Sequence, residues 1–366
     1  MAGSAQGQEA FRWREVYKLI RTGVRKEKVV ETDYEAIVIG GGQSGLATAF
    51  YLMRADVKTL VLDDQDQPGG AWLHTWPSLT LFSTASSSNL PGMMMPPYPG
   101  FPPASHVIDY LTAYERRYKF DVLRPVHVDD VLPIGGQSNG AADGFTVRAG
   151  ERQWTARSVI GATGTWSAPF VPTYPGRFSG QQWHSSQYPG PEPFAGATVA
   201  VVGGANSGAQ IAADLLPRSD VNWYTTQPPR WMPDDVDGSV LFRRSRQRLL
   251  AMQKGQTDPG PSNELGDIVM VDAVKEARDQ GELVAQPMFT SLDEVDAEHL
   301  IWCTGFRPAL HGLRNVVKGR EARYDGVFLV GYGDWCGPGS ATIAGVSPFA
   351  KATARAVAKR VDKTAR

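Results

Sequence analysis

Apolar positions in this chain fall into two rhythms. Ala36–Ile39 is a continuous apolar run of the kind a strand buried on both faces requires, and Gly40–Gly45, which ends it, reads as a turn. Leu46–Met53 then reads as a helix and Thr59–Leu62 as a second strand, so the stretch predicts a βαβ unit. The same order returns at "ATVAVVGGANSGAQIAADLL" followed by "VNWYTT", and no repeat of short fixed period accompanies it. Between the two units, Val107–Arg117 predicts a helix with Val107, Leu111 and Tyr114 on one face. Ser78–Pro103, rich in Ser, Pro and Met, reads as irregular chain, and 253–266 as an exposed loop. Ahead of all this, Trp13, Val16, Tyr17, Ile20 and Val24 keep helical spacing among seven basic and two acidic side chains between Phe11 and Lys28. Residues 1–33 are therefore read as a basic amphipathic extension that could lie on a membrane surface but more often packs on its own protein or a partner subunit, which admits a homodimer.

The duplicated unit predicts an α/β protein with two dinucleotide-binding, Rossmann-like domains. With 366 residues there is room for two cores. A balance of 37 basic against 38 acidic residues advertises no nucleic-acid or anionic-membrane surface, and no run reaches the ~20 apolar residues of a transmembrane segment. With no apolar leader at the N-terminus, the expectation is a cytoplasmic protein. Cys303 and Cys336 form no C-x-x-C pair, so they are read as buried thiols, and no metal site is expected.

Candidate chemistry gathers at the two turns. In "GGGQSG", Gly40, Gly42 and Gly45 suit a tight turn, close approach to a pyrophosphate and close packing of helix on strand, while the helix that follows the turn, with Gln43 and Ser44 just ahead of it, offers free N–H groups. Asp63, eighteen residues past Gly45, stands where a carboxylate accepts hydrogen bonds from a ribose. Gly70 and Trp72 in "PGGAW" could pass close to the same ligand and wall it. Gly333 and Asp334, after an apolar strand, suit contact with a polyol chain, or an acid capping the next helix. The second turn, "GGANSG", keeps Gly203 and Gly208 around Asn206 and Ser207, with Ala205 in the middle glycine's place. After its second strand come Thr225, Thr226 and Gln227 instead of an acid, with Arg230 three residues on, which leans towards NADPH while admitting NADH.

Between the turns, "FSGQQWHSSQY" sets Phe178, Gly180, His184 and Tyr188 at steps of two, four and four. With "GATGTWSAP" and "WCTGFRP" as small-residue crossings, the order resembles the class B flavoprotein monooxygenases, in which F-x-G-x-x-x-H-x-x-x-(W/Y/F) is the fingerprint. Within that group "WPSLTLFSTASSSNLPGMMMP", "WMPDDVDG" and "GDIVMVDAVKEARDQG" look like the monooxygenases of bacterial arsenic-resistance operons, and the likeness runs from about Tyr34 to about Val357.

The resemblance implies an NAD(P)H domain (171–306) inserted into an FAD domain (34–170 and 307–366). It implies FAD and NADPH as cofactors, hydride passing from one to the other, and dioxygen adding at flavin C4a to oxygenate a small-molecule substrate: a soft nucleophile (N, S or As) or a ketone. His184 is the fingerprint's catalytic or domain-coupling residue. Where many relatives carry a Thr-Asn pair beside the flavin this chain has Leu81 and Phe82, leaving Ser83 or Thr84 as the nearest polar candidates. That departure favours, as a rival, an oxidase or reductase that releases hydrogen peroxide. Ala205 favours a second rival, a non-catalytic nucleotide sensor. Ser86–Tyr98, with Met93, Met94 and Met95, either lines the substrate pocket or packs on the flavin domain.

Overall fold

The structure is a computed structural model that describes residues 31–135, 140 and 142–364. The basic amphipathic helix expected between Phe11 and Lys28 lies outside the described residues. β1 (Tyr34–Ile39), α1 (Gln43–Arg54) and β2 (Thr59–Leu62) realise the first βαβ unit. β1 also pairs in parallel with the C-terminal half of β6 (Arg152–Gly161). The rest of this sheet is β3 (Val122–Leu123), the antiparallel β4 (Asp130–Ile134) and β5 (Gly144–Ala149), and the late-returning β14 (Val327–Leu329), in the order β3-β2-β1-β6-β5-β4 with β14 on β6, while β12 (Val317–Lys318) and β13 (Glu321–Ala322) form a separate antiparallel pair. The antiparallel β4–β5 arm was not marked by any turn the sequence reading used.

A second sheet, all parallel, runs β10-β9-β8-β11-β7, where β7 is Gln181–His184, β8 Thr198–Val202, β9 Asp220–Thr225, β10 Ala285–Pro287 and β11 His299–Trp302. Its residues are all inserted between β6 and β14 of the first, so one dinucleotide fold is inserted into the other, as expected. Each sheet is covered on both faces. Ala36 and Val38 point into one buried cluster and Ile37 and Ile39 into another, just as Val199 and Val201 part from Ala200 and Val202. This is why the strands read as unbroken apolar runs.

Three helices set the surroundings of the site. α2 (Ala104–Tyr118) buries Val107, Tyr110, Leu111 and Tyr114. Its tyrosines, four residues apart, fasten the methionine-rich loop: the Leu90 N–H donates to the Tyr110 hydroxyl at 2.7 Å, and Tyr110, Tyr114 and Tyr118 donate to the carbonyls of Met93, Pro91 and Gly92, each at 2.7 Å. Met95 is buried in the core of the first unit, so Ser86–Tyr98 packs on that unit, while Met94 is exposed. α3 (Asn206–Leu215) follows the second glycine turn, and α4 (Gly238–Lys254) is a basic helix capped by Asp237. The C-terminal residues of α4 and a short turn at Ser262–Leu265 occupy part of the span expected to be loop.

Candidate functional site: two nucleotide corners and their junction

The two glycine turns fold as the same corner. A Cβ on Gly45 would stand 1.8 Å from the Gly40 carbonyl oxygen, and one on Gly208 1.9 Å from that of Gly203. Each third glycine is therefore required by backbone contact before any ligand is considered. α1 and α3 both begin without a side-chain cap and without an acidic residue in the first turn, whereas α4 takes its cap from Asp237. The uncapped N–H groups and positive dipole ends suit pyrophosphates. In the first corner the middle glycine, Gly42, has only the Gly70 Cα near its missing side chain, at 3.8 Å, while a Cβ on Gly70 would press on Gly42 at 2.7 Å. The "PGGAW" segment thus closes over the first corner at backbone distance. In the second, the middle residue, Ala205, is exposed.

Beyond their turns the corners differ. The Gly40 N–H donates to the Leu62 carbonyl and the Gly203 N–H to that of Tyr224, so Asp63 and Thr225 are equivalent positions. Asp63 is 2 % exposed, accepts from the Gly41 N–H at 3.2 Å, and pairs with Arg124 at 3.0 Å. Arg124 is in turn clamped by both carboxylate oxygens of Glu115 at 2.8 Å. Burial pushes the Asp63 carboxyl up from its ordinary value, against the opposing pull of Arg124 and the Gly41 N–H. Arg124 and Glu115 escaped the sequence reading because nothing local marks a pair to a residue 61 positions away. At the second corner Thr225 is buried and uncharged, Thr226 is exposed, and Arg230 is half-exposed. The first corner fits a nucleotide with a free ribose diol, and the second admits one bearing a phosphate there.

Of the other expected contacts, Gln43 joins three segments. It accepts from the Trp72 indole N–H at 3.0 Å and donates to the Ala341 carbonyl at 2.6 Å. Ser44 lies against Gly331, just before Gly333. The Asp334 carboxylate is 76 % exposed, 3.9 Å from Arg248 of α4. Asn206 accepts from the Val269 N–H at 2.8 Å, and Ser207 is half-buried in the first turn of α3. Ser83 is buried, its hydroxyl 2.8 Å from that of Ser88, and Thr84 lies 3.0 Å from the Ser86 hydroxyl. Both candidate hydroxyls are thus engaged within their own loop.

His184 sits where the units join. Its Nδ1 accepts from the Ser186 N–H at 3.1 Å, which leaves the proton on Nε2 to be donated to the Gly305 carbonyl at 3.0 Å. That carbonyl also accepts from the Phe170 N–H at 2.9 Å. One oxygen therefore holds the fingerprint and both crossings, whose strands touch again at Pro169 and Phe306. Burial holds the His184 pKa below its ordinary value despite the Gly305 hydrogen bond. Four rings, His74, Trp166, Phe306 and His184, follow one another at centroid spacings of 5.3, 5.6 and 4.9 Å from the first unit to the fingerprint. Phe178 is buried, and a Cβ on Gly180 would lie 2.2 Å from the Glu298 carbonyl oxygen. The Tyr188 hydroxyl donates to Asp214 of α3 at 2.9 Å, where Ser78 of the first unit also donates at 3.0 Å. The thiols are unpaired, Cys303 buried and Cys336 half-buried, and burial raises both, so the described residues hold no redox dithiol.

The chain is similar to known proteins. The family described as pyridine nucleotide-disulphide oxidoreductase matches residues 37–330. A flavin-containing monooxygenase from Stenotrophomonas maltophilia is 39% identical with a TM-score of 0.77, covering 89% of this chain and 98% of that one. The uncharacterized oxidoreductase CzcO of Bacillus subtilis is 28% identical over 291 residues, 76% of this chain and 82% of its own. Indole-3-pyruvate monooxygenase YUCCA1 of Oryza sativa subsp. japonica is 32% identical over 185 residues, 49% of this chain and 44% of its own.

Proposed function

Since the chain belongs to the pyridine nucleotide-disulphide oxidoreductase family and, within it, to the flavin monooxygenases, we propose that it oxygenates a small molecule at a soft nucleophilic atom: nitrogen, sulfur or trivalent arsenic. FAD and NADPH are its cofactors. When bound, the nicotinamide supplies hydride, and the flavin takes it up and activates dioxygen. The protein's part is to hold, orient and keep dry. Gly40, Gly42, Gly45 and the start of α1 would hold the flavin's pyrophosphate, with Asp63 at its ribose and Gly70 and Trp72 over the turn. Gly203, Asn206, Ser207 and Gly208 would hold that of NADPH, with Thr226 and Arg230 towards the 2′-phosphate. We place the unit boundaries at 170/171 and 306/307, beside the Pro169–Phe306 contact. His184, neutral and doubly engaged, acts by fixing the junction.

The observation that carries the substrate class is Leu81–Thr84. None of these four side chains ionises, Leu81 is buried, and the Ser83 hydroxyl is engaged by Ser88. Electrophilic transfer of oxygen to a soft nucleophile needs no base beside the reacting centre, whereas attack on a ketone needs a group that sustains an anionic oxygen. The same segment supports a second reading, an oxidase that releases hydrogen peroxide. Unpaired thiols and dependence on NADPH support a cytoplasmic setting. NADPH consumption with an organic sulfide, a tertiary amine, trivalent arsenic and a cyclic ketone, measured with product and peroxide, tests these readings. Oxygenated sulfide, amine or arsenic in step with NADPH is expected. Ketone oxygenation alone would remove the substrate class, and peroxide equal to NADPH with every compound would select the oxidase.

A further inference from the structure

Arg230, read above as the cation for the 2′-phosphate, already has a carboxylate beside it. Asp267 lies 3.6 Å away, both side chains being partly exposed. The backbone fixes this neighbour. The N–H groups of Asp267 and Ile268 both donate to the Arg230 carbonyl, at 2.8 and 3.2 Å, and Trp231 pairs with Ile268. Gly266 has φ +135°, and a Cβ there would come within 2.8 Å of the Arg230 carbonyl oxygen, so the two segments pass closer than any side chain permits. Two residues past Asp267, the Val269 N–H donates to Asn206, the first residue of α3. One short segment therefore holds Arg230 and the second nucleotide corner together, and carries a negative charge beside Arg230.

We propose that Asp267 is a specificity-determining residue: a built-in counter-ion to Arg230 that weakens the corner's hold on a 2′-phosphate and so sets how strongly NADPH is preferred over NADH. A 2′-phosphate brought to Arg230 competes with Asp267 and is repelled by it. A 2′-hydroxyl meets neither effect. The separation is shorter than the ~8 Å over which physiological salt screens, so the repulsion is felt at working ionic strength.

The inference rests on the reading of Arg230, and one experiment separates the two. Dissociation constants of NADP⁺ and NAD⁺ are measured by calorimetry on the FAD-loaded protein for the parent, Asp267→Asn, Arg230→Gln and the double variant, with melting curves as a check on folding. Asp267→Asn should tighten NADP⁺ about two- to fivefold, the scale of a half-exposed ion pair, with NAD⁺ unmoved. The gain should shrink with added salt and vanish in the Arg230→Gln background. An unchanged NADP⁺/NAD⁺ ratio in Asp267→Asn, an equal shift of both ligands, or a gain that survives without Arg230 overturns the role of Asp267. If Arg230→Gln by itself leaves the ratio unmoved, the reading of Arg230 fails, and the inference with it.

Discussion

Asp63 is held by two groups of very different origin. The Gly41 N–H belongs to its own corner, while Arg124 arrives from beyond α2 with Glu115 as its second anchor. Replacing Arg124 with Met leaves a buried carboxylate without its cation, a change that typically costs ~3–5 kcal/mol. Arg124→Met is therefore expected to purify with much less flavin, seen as a fall in absorbance near 450 nm relative to 280 nm, and Arg124→Lys to recover part of it. His184 gives a prediction in pH. Its pKa is depressed in the folded state, so the unfolded chain binds the proton more readily; the stability it contributes is present above about 6.5 and is lost as pH falls through the folded value. Melting temperatures taken from pH 7.5 to 5 should fall less steeply for His184→Gln than for the parent. Asp63 was legible because its spacing from a glycine turn is local, and His184 through the fingerprint of the family that the chain resembles. Arg124, Glu115 and Asp214 were not, since each acts through a partner that only tertiary folding brings near.

The corner, a strand, a turn and a helix, was legible twice over, because close backbone approach forbids a side chain and leaves glycine as its trace in sequence. The three glycine positions nonetheless answer to different causes. Gly45→Ala puts a methyl group into the Gly40 carbonyl and should cost at least the ~3 kcal/mol at the top of the usual range for overpacking, lowering the melting point of flavin-free protein. Gly42→Ala has room in the protein itself, so it should melt normally and yet release flavin, read as a weaker dissociation constant. Ala205→Gly is the converse change and should tighten NADP⁺ binding severalfold with the fold untouched. α4 went unread, although Asp237 before it and Gly255 after it are a cap and a stop that mark a helix. Its mixed basic and apolar face, half-buried between the Phe82–Ser83 loop and Gly339, has no clean periodicity to find.

At the scale of the molecule, two sheets that share no strand are tied by crossings that meet on the Gly305 carbonyl and by Ser78 of the first unit donating to Asp214 of the second, a carboxylate that Tyr188 of the second unit also holds. Ser78→Ala removes one of these ties and neither nucleotide corner. Flavin reduction at saturating NADPH should slow by roughly five- to tenfold, the worth of a ~1 kcal/mol hydrogen bond, with the NADP⁺ dissociation constant unchanged. Rapid mixing under anaerobic conditions separates the two quantities, and a shift confined to binding would count against a coupling role. The duplicated corner also has a history to tell. One copy is roofed by Gly70 and backed by a buried ion network, while the other lies open, with an alanine at its tip and its charges at the surface. The first, on the reading proposed above, would keep its guest through many cycles, as a prosthetic group. The second, on the same reading, would suit a visitor that comes and goes, so washing the protein free of small molecules should strip the nicotinamide and leave the flavin.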